Sequence, residues 1–417
     1  MSDHLVVWIN DSIAGVLRPS DTRRSADTQL VFEPDPGARA LTASSNGRLS
    51  PWNRTFAKNW FDGLLPDDRQ RTAAEINYGI ARGDTFGLLE AIGWECAGAI
   101  SVLPEGQRPE TGAYRHLSSD EMWERLDALP LLIRIDDLDD EENAPRSSLG
   151  GAQEKMLLRR SPGGVGDGWD LPLRGAPSTH IFKPEPAGFD GLATAEAYCL
   201  LAASVVTESA EAEVLAEPGH RPVLIVTRFD RTTGPDGSIR RIHQEDGCQV
   251  LGLPPEQKYA ASAKAEPLHA QLARVLLTRS VDPVRELRRL LTQVTVNLAV
   301  GNADAHAKNY SFRHQGGDVT LAPMYDVCPT RAFRLSDNRA SMPIAGRFRI
   351  DEITRGCLRD EAGAWGIPAR EAEETIRDTL DRLAEGITIA SQRYPDVADK
   401  VRSSVEIHHE RLSTSAW

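Results

Sequence analysis

The clearest periodicity lies late in the chain, where Leu287, Leu290, Leu291, Val294 and Leu298 recur at i, i+3, i+4, i+7 and i+11 and predict a helix with one buried face. The pattern is helical from about residue 265, and again over most of 350–417, including Ala369 to Ile387. The first hundred residues read differently. LVVWINDSIAGVL (5–17) predicts two short strands around a turn at Asn10-Asp11-Ser12, and LVFEPD (30–35) a third. Helices are expected at about 68–82 and 84–93, and a buried strand over 94–104. This first stretch is expected to be a compact α+β scaffold without chemistry, since nothing in it pairs a nucleophile with a base. A helix follows from Ser119 to Leu129, strands at 155–158, 179–184 and 222–231, and a helix from Thr194 to Ala203. Clusters of Pro and Gly at 33–37, 162–177 and 232–237 read as loops, and 310–323 as a hairpin.

Bulk composition narrows the class. The chain has 417 residues, enough for two or three domains with an ample core. A net charge of −13 argues against unaided nucleic-acid binding, which needs a basic face, and suits a basic partner. Five scattered Cys (Cys96, Cys199, Cys248, Cys328, Cys357) without a CxxC pair point to reduced thiols, not a disulfide frame or zinc site. Neither a signal peptide nor a membrane span is visible, so a cytoplasmic protein is expected. The acidic run Asp136 to Glu142 reads as a solvated face.

Candidate chemistry concentrates in LAVGNADAHAKNYSFRHQGGDVTLAPMYD (298–326). Phosphoryl transfer from a nucleotide needs a carboxylate to orient the attacking hydroxyl and oxygen ligands to hold Mg²⁺ against the phosphates. Asp304, Asn309 five residues on, and Asp326 beyond the hairpin supply those groups at the offsets of a kinase catalytic loop. Any one of them alone reads as readily as a turn cap. Upstream, Gly150-Gly151 lies between a Ser pair and a strand, where backbone N–H groups can converge on an anion, although such a pair also marks hairpin turns. Lys183 ends the strand THIFKP and could meet phosphates, with Glu196 on the next helix as ion-pair partner; an ordinary strand lysine is the alternative. VTRFDR closes an apolar strand that would lead into an adenine-facing hinge. HQEDGCQVLGLPPEQKY (243–259) is either a site wall or a connector. The order is glycine loop, lysine, hinge, base, amide ligand, carboxylate ligand, which is that of a kinase.

SSLGGAQEKMLL, THIFKP, VTRFDR, HQEDGCQVLGLPPEQKY, GNADAHAKNYSF and LAPMYDV, with the earlier NWFDGLLPDD, resemble the HipA family of bacterial serine/threonine kinases, toxins of type II toxin–antitoxin modules. The resemblance runs in consistent order from the N-terminus to beyond residue 330; after 350 it is only a shared helical character. It implies an α+β, two-lobed protein-kinase-like fold with an additional N-terminal α+β subdomain (1–105), a kinase-like N-lobe (106–255) and a mostly helical C-terminal lobe (256–417). It implies ATP and Mg²⁺ as cofactors, with Asp304 as the base and Asn309 and Asp326 as metal ligands. Gly150, Gly151, Ala152, Gln153, Glu154 and Lys155 would form the phosphate loop and Lys183 would meet the phosphates. Thr227, Arg228 and Phe229 would supply the hinge, and His306, Ala307, Lys308, Asn309, Tyr325 and Asp326 would line the nucleotide. Ser148 matches the family's autophosphorylation serine, with Ser147 adjacent. Thr227 stands where relatives often carry an acidic residue, which puts side-chain contacts there in doubt. Implied partners are a HipB-like DNA-binding antitoxin, operator DNA through that antitoxin, and a protein substrate such as the glutamyl aminoacyl-tRNA synthetase, with growth arrest and persistence as outcome. A non-catalytic kinase-shaped corepressor and a small-molecule kinase are the other readings the residues allow.

Overall fold

The computed structural model describes residues 2–20, 28–109, 112–129, 148–151, 153–162, 168–173, 175–260, 266–333 and 338–417. Ala152, Ser147 and the acidic run Asp136 to Glu142 lie outside the described residues. The architecture is α+β and divides into two compact units: Met1–Pro184 with Glu217–Arg221 and Thr227–Pro255, and Glu185–Ala216 with Pro222–Val226 and Glu256–Trp417.

In the first unit, the strands Leu30–Pro34, Ser12–Pro19, Leu5–Ile9 and Ile100–Pro104 form an antiparallel sheet in that spatial order. The predicted turn at Asn10-Asp11 closes the first hairpin, with Asn10 at φ 50°. Asn53 accepts from the N–H groups of Thr55 and Phe56 and starts the helix Arg54–Asp62, an element absent from the sequence-based expectation. Phe56, Ala57, Trp60 and Phe61 lie on its buried side, where Phe32 meets Phe61 and Trp52 meets Trp60 edge-to-face, Phe32 and Trp52 also meeting each other so. Only Ile100–Pro104 of the strand expected over 94–104 forms. Residues 94–98 are used otherwise, as the site below shows. Glu245 reaches the same core, where its carboxylate accepts from Thr42 Oγ1 (2.7 Å), the Ala43 N–H (2.6 Å) and Trp60 Nε1 (3.0 Å).

A second antiparallel sheet of this unit runs Ala113–Leu117, Trp169–Leu173, Met156–Arg160, His180–Pro184. The Trp169–Leu173 strand sits inside the Pro/Gly-rich stretch expected to be loop. Leu171 and Leu173 are buried, and that burial overrides the breaker signal of Pro172.

The second unit is mainly helical. Leu192–Ser204 is buried almost all round and lies along Ala369–Arg393. The helices meet backbone to side chain: Tyr198 Oη donates to the Ile387 carbonyl (3.4 Å), and a Cβ placed on Gly386 would come 2.2 Å from the Ala202 carbonyl oxygen. Val223–Thr227 pairs antiparallel with Ala212–Leu215. Pro283–Ala299 is the helix read from periodicity; Asp282 caps it by accepting from the Arg285 N–H (3.1 Å), with Pro283 in its first turn. The expected hairpin forms as Ser311–Gln315 with Asp318–Leu321. A further hairpin, Arg339–Ile344 with Arg347–Arg349, gave no sequence signal.

Two predictions follow from the packing. Gly386→Val forces the two helices apart and is expected to cost about 1–3 kcal/mol in urea denaturation. The control Gly363→Ala, in a helix with nothing within 4 Å of its added Cβ, should be neutral or stabilising. His180 and His269 are buried, and burial pushes both down to about 4, with Arg160 adding to the shift at His180. Between that value and the ordinary one near 6.5, the unfolded chain binds protons that the folded chain does not. Stability is therefore expected to fall as pH drops from 6.5 toward 4, by up to about 1.4 kcal/mol per pH unit for each histidine. His269→Gln should flatten that slope; an unchanged slope would count against the buried histidine as its source.

Candidate active site

In the first unit, the glycine segment leads into the strand Met156–Arg160. Gly151 has φ +110°, a conformation that favours glycine, and a Cβ there would lie 2.7 Å from Lys155 Nζ. Lys155 Nζ donates to the Gly150 carbonyl (2.5 Å), the Asp67 N–H to the Gly151 carbonyl (3.2 Å), and Gln153 Nε2 to the Pro184 carbonyl (3.4 Å). Glu154 stands 3.9 Å from Arg221. Lys183 is buried on its strand. Ser148 has no exposed surface: its N–H donates to the Glu95 carbonyl (2.8 Å) and its Oγ to Cys96 Sγ (3.3 Å). Burial pushes the Cys96 thiol up to about 11, so it is an inert packing partner.

The segment at Thr227–Phe229 departs from a simple hinge. Thr227 and Phe229 are half-buried, but Arg228 is buried and its guanidinium is engaged inward. It bonds Asp230 (2.9 and 2.8 Å), Glu95 (3.2 Å) and Ser178 (2.9 Å), while its N–H donates to the Thr179 carbonyl (2.9 Å). Arg231 adds a second cation, 3.1 Å from Glu95 and 3.0 Å from Asp230. Burial alone would push Glu95 and Asp230 up; Arg228 and Arg231 outweigh it and hold both carboxyls below the usual range. Burial beside Arg228 lowers Arg231 to about 10. The Arg228 side chain is thus part of the framework.

In the second unit, three sequence-predicted residues come together. Gly301, at φ +78°, ends the long helix and turns the chain into the loop. Asn302, which sequence reasoning missed, braces both arms of the site. Its Nδ2 donates to Asn297 Oδ1 (2.8 Å) and to the Asp326 carbonyl (3.2 Å), and its Oδ1 accepts from the Asp304 N–H (3.1 Å). Asn309 Nδ2 lies 3.4 Å from Asp326 Oδ2, and Asn309 Oδ1 accepts from the His306 N–H (3.2 Å). Asp326 holds φ +52°, a strained conformation for a non-glycine residue of the kind found at functional sites. Tyr325 Oη sits 2.6 Å from Ser311 Oγ and donates to the Lys308 carbonyl (2.5 Å), pinning the second arm. Ala307 and Lys308 are buried, while the Asp304 and Asp326 side chains reach solvent.

The electrostatics suit a proton acceptor. Surrounding protein desolvates the Asp304 carboxyl and Asp326 adds repulsion; together they raise it above the usual range against Ser341, Lys258 and Tyr259. Burial, with the charge of Lys258, pushes His306 down to about 3, so the ring is neutral at pH 7. The end of the 243–259 stretch is therefore site wall in this unit: the Tyr259 ring stands edge-on to His306 at 5.3 Å.

One carboxylate and one amide oxygen fit a Mg²⁺ whose other ligands are phosphate oxygens and water, and Asn309 Oδ1 keeps a second lone pair for it. Such an ion needs no larger cluster. Among the described residues there is no group of three or more His, Cys, Asp or Glu placed to hold a metal, and no helix long and apolar enough to cross a membrane.

Comparison with known proteins points one way. Residues 147–387 match the family described as HipA-like C-terminal domain, and residues 5–103 the HipA N-terminal domain. Y4mE of Sinorhizobium fredii, named as a candidate kinase, is 33% identical over 97% of this chain and 95% of its own. The serine/threonine-protein kinase toxin HipA of Shewanella oneidensis is 26% identical over 83% of this chain and 80% of its own. The fold is similar to that of a chain in the structure of the Shewanella oneidensis HipA, HipB and operator DNA complex, with TM-score 0.79 and 23% identity over 98% of this chain and 96% of that one.

The buried charges yield a prediction. Arg228→Met leaves Asp230 and Glu95 short of a cation in the interior and is expected to cost about 3–5 kcal/mol, read as a lowered urea midpoint. An unchanged midpoint would mean that the guanidinium does not hold this framework.

Proposed function

The chain belongs to the HipA family, and from that premise we propose that it is an ATP- and Mg²⁺-dependent serine/threonine protein kinase acting as the toxin of a toxin–antitoxin module. The observation that carries this reading is the convergence of Asp304, Asn309 and Asp326 on one braced corner, with Asn302 tied to both arms.

In this reading Asp304 takes the proton of the acceptor hydroxyl. Its raised pKa makes it a better match to a hydroxyl than an ordinary aspartate. Asn309 and Asp326 would hold Mg²⁺, which when bound neutralises developing charge on the phosphates. Lys183 and the glycine segment from Gly150 to Lys155, Ala152 included, would hold phosphate oxygens, and the backbone of Thr227 to Phe229 would meet adenine. His306, Ala307, Lys308 and Tyr325 would shape the nucleotide side of the corner, with the neutral His306 able to approach without adding charge.

Self-phosphorylation at Ser148 completes the proposal. In the buried position the hydroxyl is closed to any transfer, so it must leave Cys96 and Glu95 first. A phosphate of roughly −1.5 to −2 charge could not return beside the buried Glu95, and the glycine segment would stay displaced. That outcome is self-inactivation.

The Shewanella oneidensis complex supports, by analogy, a HipB-like antitoxin and contact with operator DNA through it. The substrate we propose is a protein Ser or Thr on an aminoacyl-tRNA synthetase such as the glutamyl enzyme, in the cytoplasm, with translation arrest and persistence as consequences.

The test is incubation with Mg-ATP followed by intact mass and site mapping. The wild type is expected to gain phosphate at Ser148, and Asp304→Asn to do so about 10²–10⁴-fold more slowly. Equal rates in the two proteins would remove Asp304 as the base.

A further inference from the structure

The short segment 258–260 of the second unit is fixed to the catalytic loop by an intermediary. The Ala260 N–H donates to the Ser341 carbonyl (3.0 Å), and the Ser341 N–H donates to the Ala303 carbonyl (2.8 Å). Ser341 Oγ bonds the Ala303 carbonyl (3.0 Å) and Asp304 Oδ1 (3.3 Å). Through Ser341 the Arg339–Ile344 strand thus links the chain at Ala260, next to Lys258 and Tyr259, with the loop that carries Asp304. Lys258 Nζ stands 5.4 Å from the centroid of the Tyr259 ring, and that ring packs edge-on against His306. Tyr259 is 44% exposed, which is unusual for a large aromatic that is positioned this firmly.

We propose that Lys258 and Tyr259 are positioning residues of the phosphoryl-transfer centre: the Tyr259 hydroxyl orients the Asp304 carboxylate, and Lys258 supplies the cation in front of it. This rests on the kinase reading given above. The effect on Asp304 agrees, since Ser341, Lys258 and Tyr259 all favour its ionised form against burial and Asp326. The chemistry shows why both are needed. The acceptor oxygen forms a bond to the γ-phosphorus while the bond from that phosphorus to the bridging oxygen breaks. ADP leaves with the electron pair, and the hydroxyl proton passes to Asp304. A carboxylate free to rotate would present the wrong oxygen, and an uncompensated one would repel the transferring group.

The experiment follows phosphate from γ-labelled Mg-ATP into the full-length protein and into proteins of a bacterial lysate. It compares wild type, Lys258→Met, Lys258→Arg and Tyr259→Phe, with Mg-ATP affinity by calorimetry and thermal midpoint measured in parallel. Lys258→Met is expected to slow transfer about 100-fold while Mg-ATP affinity and midpoint stay near wild type. Lys258→Arg should recover most of the rate, and Tyr259→Phe should lower kcat about tenfold with KM for ATP unchanged. Wild-type transfer from Lys258→Met, or a loss in both lysine variants that tracks a lowered midpoint, would overturn the proposal while leaving the kinase reading intact. No transfer by the wild type itself would overturn the kinase reading, and this proposal with it.

Discussion

Four charges without access to water, Glu95, Arg228, Asp230 and Arg231, set the terms for the first unit. Ions can be held inside a protein only when attraction and hydrogen bonding outweigh lost hydration, and that demands close geometry. Glu95 Oε1 alone accepts from the Ser178 N–H (2.7 Å), Ser178 Oγ (3.0 Å) and both arginines, and Asp230 accepts from the Gly98 N–H (2.7 Å). The stretch 94–98, the run into Thr179 and the chain after Val226 are thereby fixed to one another. Ser148 and the glycine segment begin on the same stretch, through the Glu95 carbonyl. The position of a candidate phosphate loop is thus inherited from a network that touches no ligand.

The candidate catalytic corner of the second unit solves a different problem by different means. Its carboxylates must reach solvent and remain available, so they cannot be neutralised by buried arginines. The direct hydrogen bonds that brace this corner come from neutral groups: the Asn302 amide on both arms, the Ser341 hydroxyl on Asp304, and the Tyr325 hydroxyl on the Lys308 carbonyl, with the charge of Lys258 acting on Asp304 beside them. The result is one carboxyl left somewhat more basic than usual and one held on a strained backbone.

How much of this was legible in the sequence depends on range. The helix Pro283–Ala299, the hairpin at 311–321 and the trio Asp304, Asn309 and Asp326 were legible because periodicity, turn residues and spacing are local signals. Asn302 was not, because an amide two residues from a carboxylate is ordinary until its partner at Asp326 is in place. Arg228 read as hinge for the same reason; its role is decided by Glu95, 133 residues away. The strand expected at 94–104 failed in its first half because those backbone groups and side chains serve distant charges. Trp169–Leu173 hid behind its prolines and glycines, since only burial against neighbouring strands makes it a strand.

The manner of attachment also bears on Ser148. Its segment is tied to the rest of the first unit by the Ser148 N–H on the Glu95 carbonyl, Ser148 Oγ on Cys96 Sγ, the Asp67 N–H on the Gly151 carbonyl and Gln153 Nε2 on the Pro184 carbonyl. At about 0.5–1.5 kcal/mol net for each bond, these four are worth about 2–6 kcal/mol, the same order as the roughly 3–5 kcal/mol for breaking one buried ion pair. A phosphate on Ser148 would act against that tether through desolvation and repulsion beside the buried Glu95. In the self-inactivation proposed for Ser148, what is displaced is this short segment and its few hydrogen bonds, not the buried charges of the first unit.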